Sequence, residues 1–406
     1  MQKFVIIGAS QAGSQLAVNL RERGFEGAIT LIGDEPDWPY QRPPLSKAYL
    51  AGTADRQTLM LRDEDFYTQQ NIEVVLNCAI SSVDMSTHIA HAADGREFPF
   101  DKIAFTTGAR VRTVSIPGNE LAGVCYLRTT ADADQLKLHM ETAKNVVVVG
   151  GGFIGLEAAA VATAAGKNTT VIEAFDRLLA RVVAPEMSTF YKDAHTARGT
   201  HVVLGSGVSA FHGEGGKVVS VELSDGSSIP ADLVIVGVGV IANAELAAAA
   251  GLEVTPGGIV VDDRARTSHP DAVAAGDCVV LPIEGSEGLV RLESVQNAMD
   301  QANIAAASML DIDEKYNKVP WFWSDQADLK LQIAGLSQGY DAVITRGDMS
   351  ASKFSLLYYR GEQLISIQSV NSPADYLSVR KMLTVGKNLP MEAARDLSVP
   401  LKTHAN

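Results

Sequence analysis

A strand, a glycine-containing turn and a helix follow one another twice in this chain, and this repeat constrains the fold more than any other feature. In the first copy, the apolar residues 4–7 lead into a turn with Gly8, Ser10 and Gly13, and the next strand ends near Asp34. This pattern predicts a parallel α/β sheet, with a dinucleotide pyrophosphate at the helix N-terminus and a ribose at the acidic residue. Ser10 replaces the second glycine of the fingerprint, so this copy by itself would also suit a glycine turn without a ligand.

The second copy of the pattern has every expected glycine. Residues 146–149 form an apolar run, and Gly150, Gly152 and Gly155 follow, with Ile154 between the last two. The first glycine allows the tight turn, the second lets the backbone approach a pyrophosphate, and the third lets the helix pack closely against the strand. Backbone N–H groups at such a helix start can bind phosphate directly. We therefore expect a second dinucleotide site here.

The choice of nucleotide at the second site depends on two charged residues. Glu173 ends the following strand, where its carboxylate can accept a hydrogen bond from a free ribose 2′-hydroxyl and would repel a 2′-phosphate. Arg177 follows shortly afterwards and could bind a 2′-phosphate, so NADPH stays open although NADH is favoured. Two fingerprints imply two nucleotides. FAD with NAD(P)H is the simplest pair, because a hydride passes between them without a protein acid or base.

Composition excludes several classes of protein. The 406 residues carry 34 Lys and Arg against 48 Asp and Glu, a net charge of −14. The basic residues form no cluster of the kind that binds nucleic acid. The apolar runs are shorter than the ~18 residues of a membrane span. The first residues lead directly into a strand rather than a signal peptide, so a cytoplasmic location is expected.

The cysteines and histidines predict neither a metal site nor a redox-active dithiol. Cys78, Cys125 and Cys278 are widely separated, so the sequence contains no CxxC pair and no cysteine set for zinc or an iron–sulfur cluster. His88 and His91 form an HxxH pair without a third ligand, which fits solvated side chains better than zinc. Isolated thiols of this kind suit the reducing cytoplasm.

Several further segments narrow the family. They are TTGA at 106–109, GVG at 237–239, AGD at 275–277, RPPLSKAYL at 42–50, YLRT at 126–129, ESVQNA at 293–298 and PWFWSDQ at 320–326. Together with the second fingerprint, these segments resemble the FAD-dependent NADH:ferredoxin reductases of bacterial cytochrome P450 and Rieske oxygenase systems. The resemblance covers nearly the whole chain, and the 42–50 and 320–326 segments are its most specific parts.

This resemblance implies a glutathione-reductase-like α/β fold, with two Rossmann-like dinucleotide-binding domains and a C-terminal α+β domain. The FAD-binding domain would be discontinuous, 1–110 and 240–318, with the NAD-binding domain at 111–239 and the C-terminal domain at 319–406. The sequence itself supports the last boundary, because the βαβ pattern ends near Pro320. Short strands are predicted beyond it at 329–336, 341–346, 353–359 and 363–370, followed by a helix at 373–384.

The resemblance also implies roles for individual residues. Lys47 would lie beside the flavin and pair with Glu157, which would contact the nicotinamide carboxamide and orient the ring, so both are expected to be catalytic. On residue type alone, both would be solvated surface charges. The other implied cofactor contacts are Arg42, Arg110 and Arg128 for FAD phosphate or ring oxygens, Asp277 for the ribityl chain, Val295 and Gln296 at a helix start facing the flavin, Gly239, and Trp323 beside the flavin.

The implied function is electron transfer in two stages. NADH gives a hydride to FAD, and single electrons then pass to a [2Fe-2S] ferredoxin that feeds an oxygenase. The missing dithiol supports this route, since the disulfide reductases of the superfamily need a cysteine pair. An acidic ferredoxin would require a local basic patch, for which Arg291, Lys330 and Lys387 are the candidates, with Arg291 preferred because it precedes the flavin-facing helix. The alternatives are an NADH oxidase, a monodehydroascorbate- or quinone-reductase-like enzyme, and a redox-sensing flavoprotein.

Overall fold

The computed structural model describes residues 1–283 and 286–405. The chain divides into two compact units, each built from three segments. Residues 42–58 belong to the second unit, although they lie inside the predicted FAD-binding segment 1–110, and the predicted three-domain division stays a prediction. The first unit contains Met1–Gln41, Leu59–Arg110 and Ile241–Phe322, and the second contains Arg42–Thr58, Val111–Val240 and the residues from Trp323 onward.

The first unit is organised around a five-stranded parallel sheet. Phe4 and Ile6 lie in one buried core and Val5 and Ile7 in another, which explains why this strand is apolar without alternation. The helices Gln11–Glu22, Glu64–Gln69 and Val295–Met309 contribute to the first core. The strands lie in the order Ala272–Ala274, Lys102–Phe105, Lys3–Ile7, Ala28–Ile32 and Ile72–Val75.

Smaller elements complete the first unit. Its helices Glu64–Gln69 and Glu245–Ala249 are short. The first of these begins with a cap, in which the Asp63 carboxylate accepts the Phe66 N–H. A three-stranded antiparallel sheet contains Ile80–Asp84, Ile89–Ala92 and Glu97–Pro99, and a four-stranded sheet contains Val254–Thr255, Gly258–Val260, Val279–Pro282 and Leu289–Val290.

The second unit contains another five-stranded parallel sheet. Its strands lie in the order His201–Leu204, Asn168–Glu173, Asn145–Val149, Leu233–Val236 and Val124–Cys125. The helices are Thr130–Thr142, Phe153–Ala164 and Pro185–Ala197, and an antiparallel sheet contains Val208–Glu214, Lys217–Leu223 and Ser228–Pro230. In both units, the strand before the fingerprint turn is the central strand of its parallel sheet, where α/β folds bind ligands.

A five-stranded sheet followed by helices forms the C-terminal part of the chain, mostly within the second unit. The strands lie in the order Trp321–Gln326, Leu329–Gly335, Gln363–Val370, Lys353–Arg360 and Ala342–Asp348. Helices Pro373–Thr384 and Met391–Arg395 and the 3-10 turn Leu401–Thr403 follow. The predicted fold class is therefore confirmed, and the aromatic segment at 320–326 proves to be a strand.

Four short elements lie near the unit boundaries. They are the 3-10 turn Pro43–Ser46, the helix Arg56–Leu59 and the strands Ala109–Val111 and Val240–Ala242. Across residues 1–283 and 286–405, none of the helices is long and apolar enough to cross a membrane.

Candidate active site

Close backbone contacts at the first fingerprint turn explain why two of its residues are glycine. Gly8 has a φ of +114°, and a Cβ atom there would lie 2.2 Å from the Thr106 carbonyl oxygen. A Cβ atom on Gly13 would lie 2.0 Å from the Gly8 carbonyl oxygen. The Thr106 hydroxyl can donate to the same Gly8 oxygen, at 2.9 Å. This packing brings the start of the helix against the central strand.

The third position of the turn tolerates a side chain. Ser10 is the N-cap of its helix with φ −122° and ψ −153°, an extended conformation open to any residue. Gly152, the equivalent N-cap in the second fingerprint, also has a negative φ, −81°. Within the described residues, neither N-cap makes a side-chain hydrogen bond to its helix. The first-turn N–H groups at these helix starts are the groups that would bind a pyrophosphate.

A buried amide in the first unit tests whether FAD fits there. The Gln301 side chain accepts a hydrogen bond from the Gly276 N–H at 2.7 Å, while its Nε2 group is buried and unpartnered among the described residues. An unpaired buried N–H is costly, so an acceptor from a ligand suits this position. Asp277, the predicted ribityl contact, is the next residue after Gly276. Together with the open helix start at Ser10, these groups fit FAD.

The predicted flavin-facing helix starts at the expected residue, but the Gln296 side chain on it forms hydrogen bonds within the protein. Ser294 is the N-cap, and its side chain accepts the Asn297 N–H. Val295 is the first helical residue. The Gln296 side-chain oxygen accepts the Trp321 N–H at 3.0 Å, and its amide nitrogen donates to Asp300. These bonds use one acceptor and one donor position of the Gln296 amide, and its contact with a cofactor stays a prediction.

Two other predicted contacts in the first unit differ in their surroundings. Asp34 follows its strand and is exposed. Arg110 donates to Asn243 at 2.8 Å and to Glu245 at 2.6 Å, so its guanidinium is engaged by acceptors of the chain itself. The hydrogen bond from Arg110 lowers the pKa of Glu245. The role of Arg110 toward FAD stays a prediction.

The second fingerprint turn repeats the geometry of the first. Gly150 has a φ of +108°, and a Cβ atom there would lie 2.4 Å from the Gly237 carbonyl oxygen. A Cβ atom on Gly155 would lie 2.2 Å from the Gly150 oxygen, whereas one on Gly152 would meet no described atom within 4 Å. Ile154 is exposed in the first helical turn. The space beside Gly152 is open to a ligand, as a pyrophosphate site requires.

In the loop after the second fingerprint strand, the two residues that bear on nucleotide preference have different hydrogen-bond partners. Glu173 accepts the Gly151 N–H at 2.7 Å and the Phe175 N–H at 2.8 Å, so both carboxylate oxygens are held beside the fingerprint turn. Arg177 donates to the carbonyls of Val183 and Ala180, both at 2.7 Å. The guanidinium therefore stabilises its own loop, and its predicted contact with cofactor stays a prediction.

Glu157 is a buried charged group of the second unit with three polar partners. Its carboxylate is only 2% exposed and lies on the helix that begins after Gly152. Lys47 Nζ lies 2.7 Å from Oε2, and the Ser46 hydroxyl donates to the same oxygen at 2.5 Å. The Ser324 hydroxyl donates to Oε1 at 2.6 Å. A carboxylate has about four acceptor sites, so one site on Oε1 stays available to a substrate donor.

The remaining predicted contacts in the second unit are Arg42, Arg128, Trp323 and Gly239. Arg42 and Arg128 lie together, since an Arg42 N–H donates to the Arg128 carbonyl at 2.8 Å. Trp323 is half-buried on its strand. Gly239 has a φ of +104° and accepts the Arg112 N–H through its carbonyl oxygen.

Sequence analysis missed the hydroxyl and amide groups that organise these sites. Ser46 and Ser324 donate to Glu157, Thr106 supports the first turn, and Gln301 bonds Gly276. Only Ser46 had a usable signal, its position next to Lys47. The others are common polar residues whose partners are far away in sequence, so their type alone indicates nothing.

The three cysteines are unsuited to electron transfer. All of them are free and buried. Burial raises the pKa of Cys125 to about 11 and also raises the pKa of Cys278. Protonated, separated thiols do not act as a redox pair. In the described part of the chain, no cluster of three His, Cys, Asp or Glu side chains is arranged to hold a metal ion.

Known proteins match this chain over nearly its whole length. Residues 2–302 match the pyridine nucleotide-disulphide oxidoreductase family, and residues 321–405 match the reductase C-terminal family. Rhodocoxin reductase from Rhodococcus erythropolis is 44% identical over 399 residues, 98% of this chain and 93% of the relative. Among solved structures, the ferredoxin reductase for the CYP199A2 system from Rhodopseudomonas palustris is 44% identical, with a TM-score of 0.97 and complete coverage of both chains.

A second solved structure shows a relative together with its protein partner. It is the covalent complex of putidaredoxin reductase with putidaredoxin. The match has 37% identity and a TM-score of 0.96, and it covers 99% of this chain and 98% of that chain. The resemblance inferred from the sequence is confirmed. The chain belongs to the pyridine nucleotide-disulphide oxidoreductase family and, within it, to the FAD- and NAD(P)H-dependent ferredoxin reductases with a reductase C-terminal domain.

Proposed function

We propose that this protein oxidises NADH and reduces a [2Fe-2S] ferredoxin that feeds an oxygenase. The FAD cofactor supplies the conversion of a two-electron hydride into single electrons. The first unit would hold FAD through the turn at Gly8, the helix start at Ser10, and Gln301 beside Asp277. The second unit would hold NADH at the turn that contains Gly152.

The observation that carries the NADH half of this proposal is the environment of Glu157. Its carboxylate is buried, paired with Lys47 and held by two serine hydroxyls, and it retains one acceptor site. A nicotinamide carboxamide carries an NH2 group that can donate to that site. A fixed acceptor orients the ring, and orientation is a large part of the rate of a hydride transfer.

The preference for NADH over NADPH follows from the loop after the second fingerprint strand. Two backbone N–H groups orient the Glu173 carboxylate, which can accept bonds from a free ribose hydroxyl. The same negative charge repels a 2′-phosphate. Arg177, the cation that could bind that phosphate, donates to carbonyl groups of its own loop instead.

Electrons would leave the flavin directly for an external acceptor, because the chain contains no redox-active thiol pair to receive them. The solved complex of a relative, putidaredoxin reductase with putidaredoxin, supports a ferredoxin as that acceptor. The free, buried cysteines also suit a reducing compartment, and we place the protein in the cytoplasm.

The three candidate docking residues differ in how much charge they offer to a partner. Arg291 forms an ion pair with Glu293 at 2.6 Å, so its charge is largely balanced. Lys330 and Lys387 are exposed in the second unit. We therefore expect Lys330→Glu to raise the ferredoxin KM by about three- to tenfold, with a smaller change for Arg291→Ala, and Lys387 stays a candidate docking residue.

Two measurements test the proposal. Anaerobic titration of the holoenzyme with NADH and then NADPH should bleach the flavin absorption rapidly only with NADH. Steady-state NADH oxidation should then rise well above its oxygen background when an oxidised [2Fe-2S] ferredoxin is added. Fast turnover with oxygen that ferredoxin does not accelerate would instead identify an NADH oxidase and refute the proposed acceptor.

A further inference from the structure

A buried series of hydrogen bonds connects Glu157 to a histidine. The Ser324 hydroxyl oxygen lies 2.6 Å from Glu157 Oε1, and the Gln326 amide nitrogen lies 3.1 Å from that hydroxyl. His195 Nε2 lies 2.8 Å from Gln326 Oε1. Ser324 and Gln326 are two residues apart on one strand, so their side chains lie on the same face.

The direction of each bond follows from the carboxylate at its end. Glu157 is ion-paired with Lys47 and has no proton to give, so the Ser324 hydroxyl donates to it. Ser324 then accepts a hydrogen from the Gln326 NH2 group. The Gln326 carbonyl oxygen consequently faces His195, whose Nε2 atom must carry a hydrogen. Every donor in the series points toward Glu157.

Burial makes this arrangement rigid. Ser324, Gln326 and His195 are all almost inaccessible to solvent. Burial also lowers the pKa of His195, in keeping with a neutral ring. Hydrogen bonds in such a low-dielectric environment are strong, and leaving any member unpaired is costly. The series therefore holds the Ser324 hydroxyl, and with it Glu157 Oε1, in a single orientation.

We propose that Ser324, Gln326 and His195 are positioning residues that aim the free acceptor site of Glu157 at the nicotinamide carboxamide. This inference rests on the proposed role of Glu157 toward NADH. Ser324 occupies one acceptor site of Oε1 and thereby fixes the direction of the other. Positioning of this kind matters because a misplacement of about 1 Å can change a rate by on the order of 100-fold.

The test compares two ligands that differ only in the nicotinamide. Calorimetry measures the binding of NAD+ and of ADP-ribose to the oxidised holoenzyme, and ADP-ribose lacks the group that Glu157 would contact. In Ser324→Ala, we expect NAD+ to bind about tenfold more weakly, the effect of one lost hydrogen bond, with ADP-ribose unchanged. Ser324→Thr retains a hydroxyl and should restore NAD+ binding.

Variants further along the series test whether the effect is transmitted. His195→Gln retains an N–H group near the position of Nε2 and should bind NAD+ like the wild type. His195→Phe and Gln326→Leu remove a donor and should weaken NAD+ binding by about threefold, a fraction of one hydrogen bond. Ser366→Ala is the matched control, because Ser366 is a buried serine of the same sheet whose hydroxyl has no partner among the described residues.

The outcomes separate this inference from the proposed function. Equal binding of NAD+ by Ser324→Ala and Ser366→Ala would overturn the inference, as would a parallel loss of NAD+ and ADP-ribose binding. If Ser324→Ala does not fold, an unchanged NAD+ affinity in both Gln326→Leu and His195→Phe overturns it instead. Failure of NADH to reduce the flavin of the wild type would refute the proposed function itself.

Discussion

Replacing Lys47 by Met would leave the Glu157 carboxylate buried without its cation. Removing one partner of a buried ion pair costs about 3–5 kcal/mol in free energy of unfolding. Two serine hydroxyls continue to donate to Glu157 in this variant, so we expect a loss of about 2–4 kcal/mol. Because the cost arises from an uncompensated charge, it should fall below about 1 kcal/mol when Glu157 is already Gln.

The chain contains a matched control for this variant. Lys102 Nζ lies 2.7 Å from an Asp311 carboxylate oxygen, the same distance as in the Lys47–Glu157 pair. The two lysines are similarly exposed, 16% and 18%, but Asp311 is 85% exposed and Glu157 only 2%. Exposed pairs are worth about 0–1 kcal/mol, so Lys102→Met should have little effect on stability.

Urea unfolding of the FAD-saturated protein, followed by circular dichroism, would measure these differences. The four proteins of the double-mutant cycle at positions 47 and 157 and the Lys102→Met control form one series. Our reasoning would be refuted if Lys47→Met cost no more than Lys102→Met. It would also be refuted if Lys47→Met cost as much in the Glu157→Gln background as in the wild type.

Three further predictions address the nucleotide site and pH. Glu173→Ala should raise the KM for NADH by about tenfold and reduce discrimination against NADPH, and steady-state kinetics with both nucleotides would contradict this if the ratio did not change. Gly152→Ala should fold normally but bind ADP-ribose weakly. Gly155→Ala should bind it weakly and also lose stability, because its Cβ would lie 2.2 Å from the Gly150 oxygen. Thermal unfolding measures the stability of each variant, and calorimetry measures its binding of ADP-ribose. Burial lowers the pKa of His195 below its usual 6.5, so on acidification the unfolded chain takes up a proton that the folded ring does not. The free energy of unfolding should therefore decrease as pH falls below about 6.5. Urea titrations from pH 8 to 5 should show a smaller decrease in His195→Gln, and identical pH profiles would count against this assignment.

Local patterns were sufficient for the parts of the fold that depend on neighbouring residues. The apolar run at residues 4–7 predicted a strand of a parallel sheet, and burial on both faces explains why no polar residues alternate with the apolar ones. The tight turn at Gly8 was predictable for a similar reason, since only glycine fits its positive φ and close contact. The strand at Trp321–Gln326 was missed, because three adjacent aromatic residues indicate a buried segment but show neither the alternation of a strand nor the repeat of a helix.

The candidate site was only partly predictable. The position of Glu157 in the second fingerprint helix and the resemblance of the 42–50 segment together suggested the pair with Lys47. The sequence could not show that Arg177 bonds the carbonyls of its own loop, because that depends on how the loop folds back. Until those contacts were seen, a role for Arg177 in binding a 2′-phosphate was equally consistent with its position.

The sequence by itself determined the two dinucleotide-binding turns, the strand–turn–helix units that contain them, the absence of a dithiol, and the family. These properties are encoded by short patterns and by residue types that are present or missing. The tertiary structure alone decided which donors hold Glu157, since Ser46, Ser324, Gln326 and His195 come from segments far apart in the chain. Hydrogen bonds depend on distance and burial in three dimensions, and neither is recorded in the local sequence around a serine or a histidine.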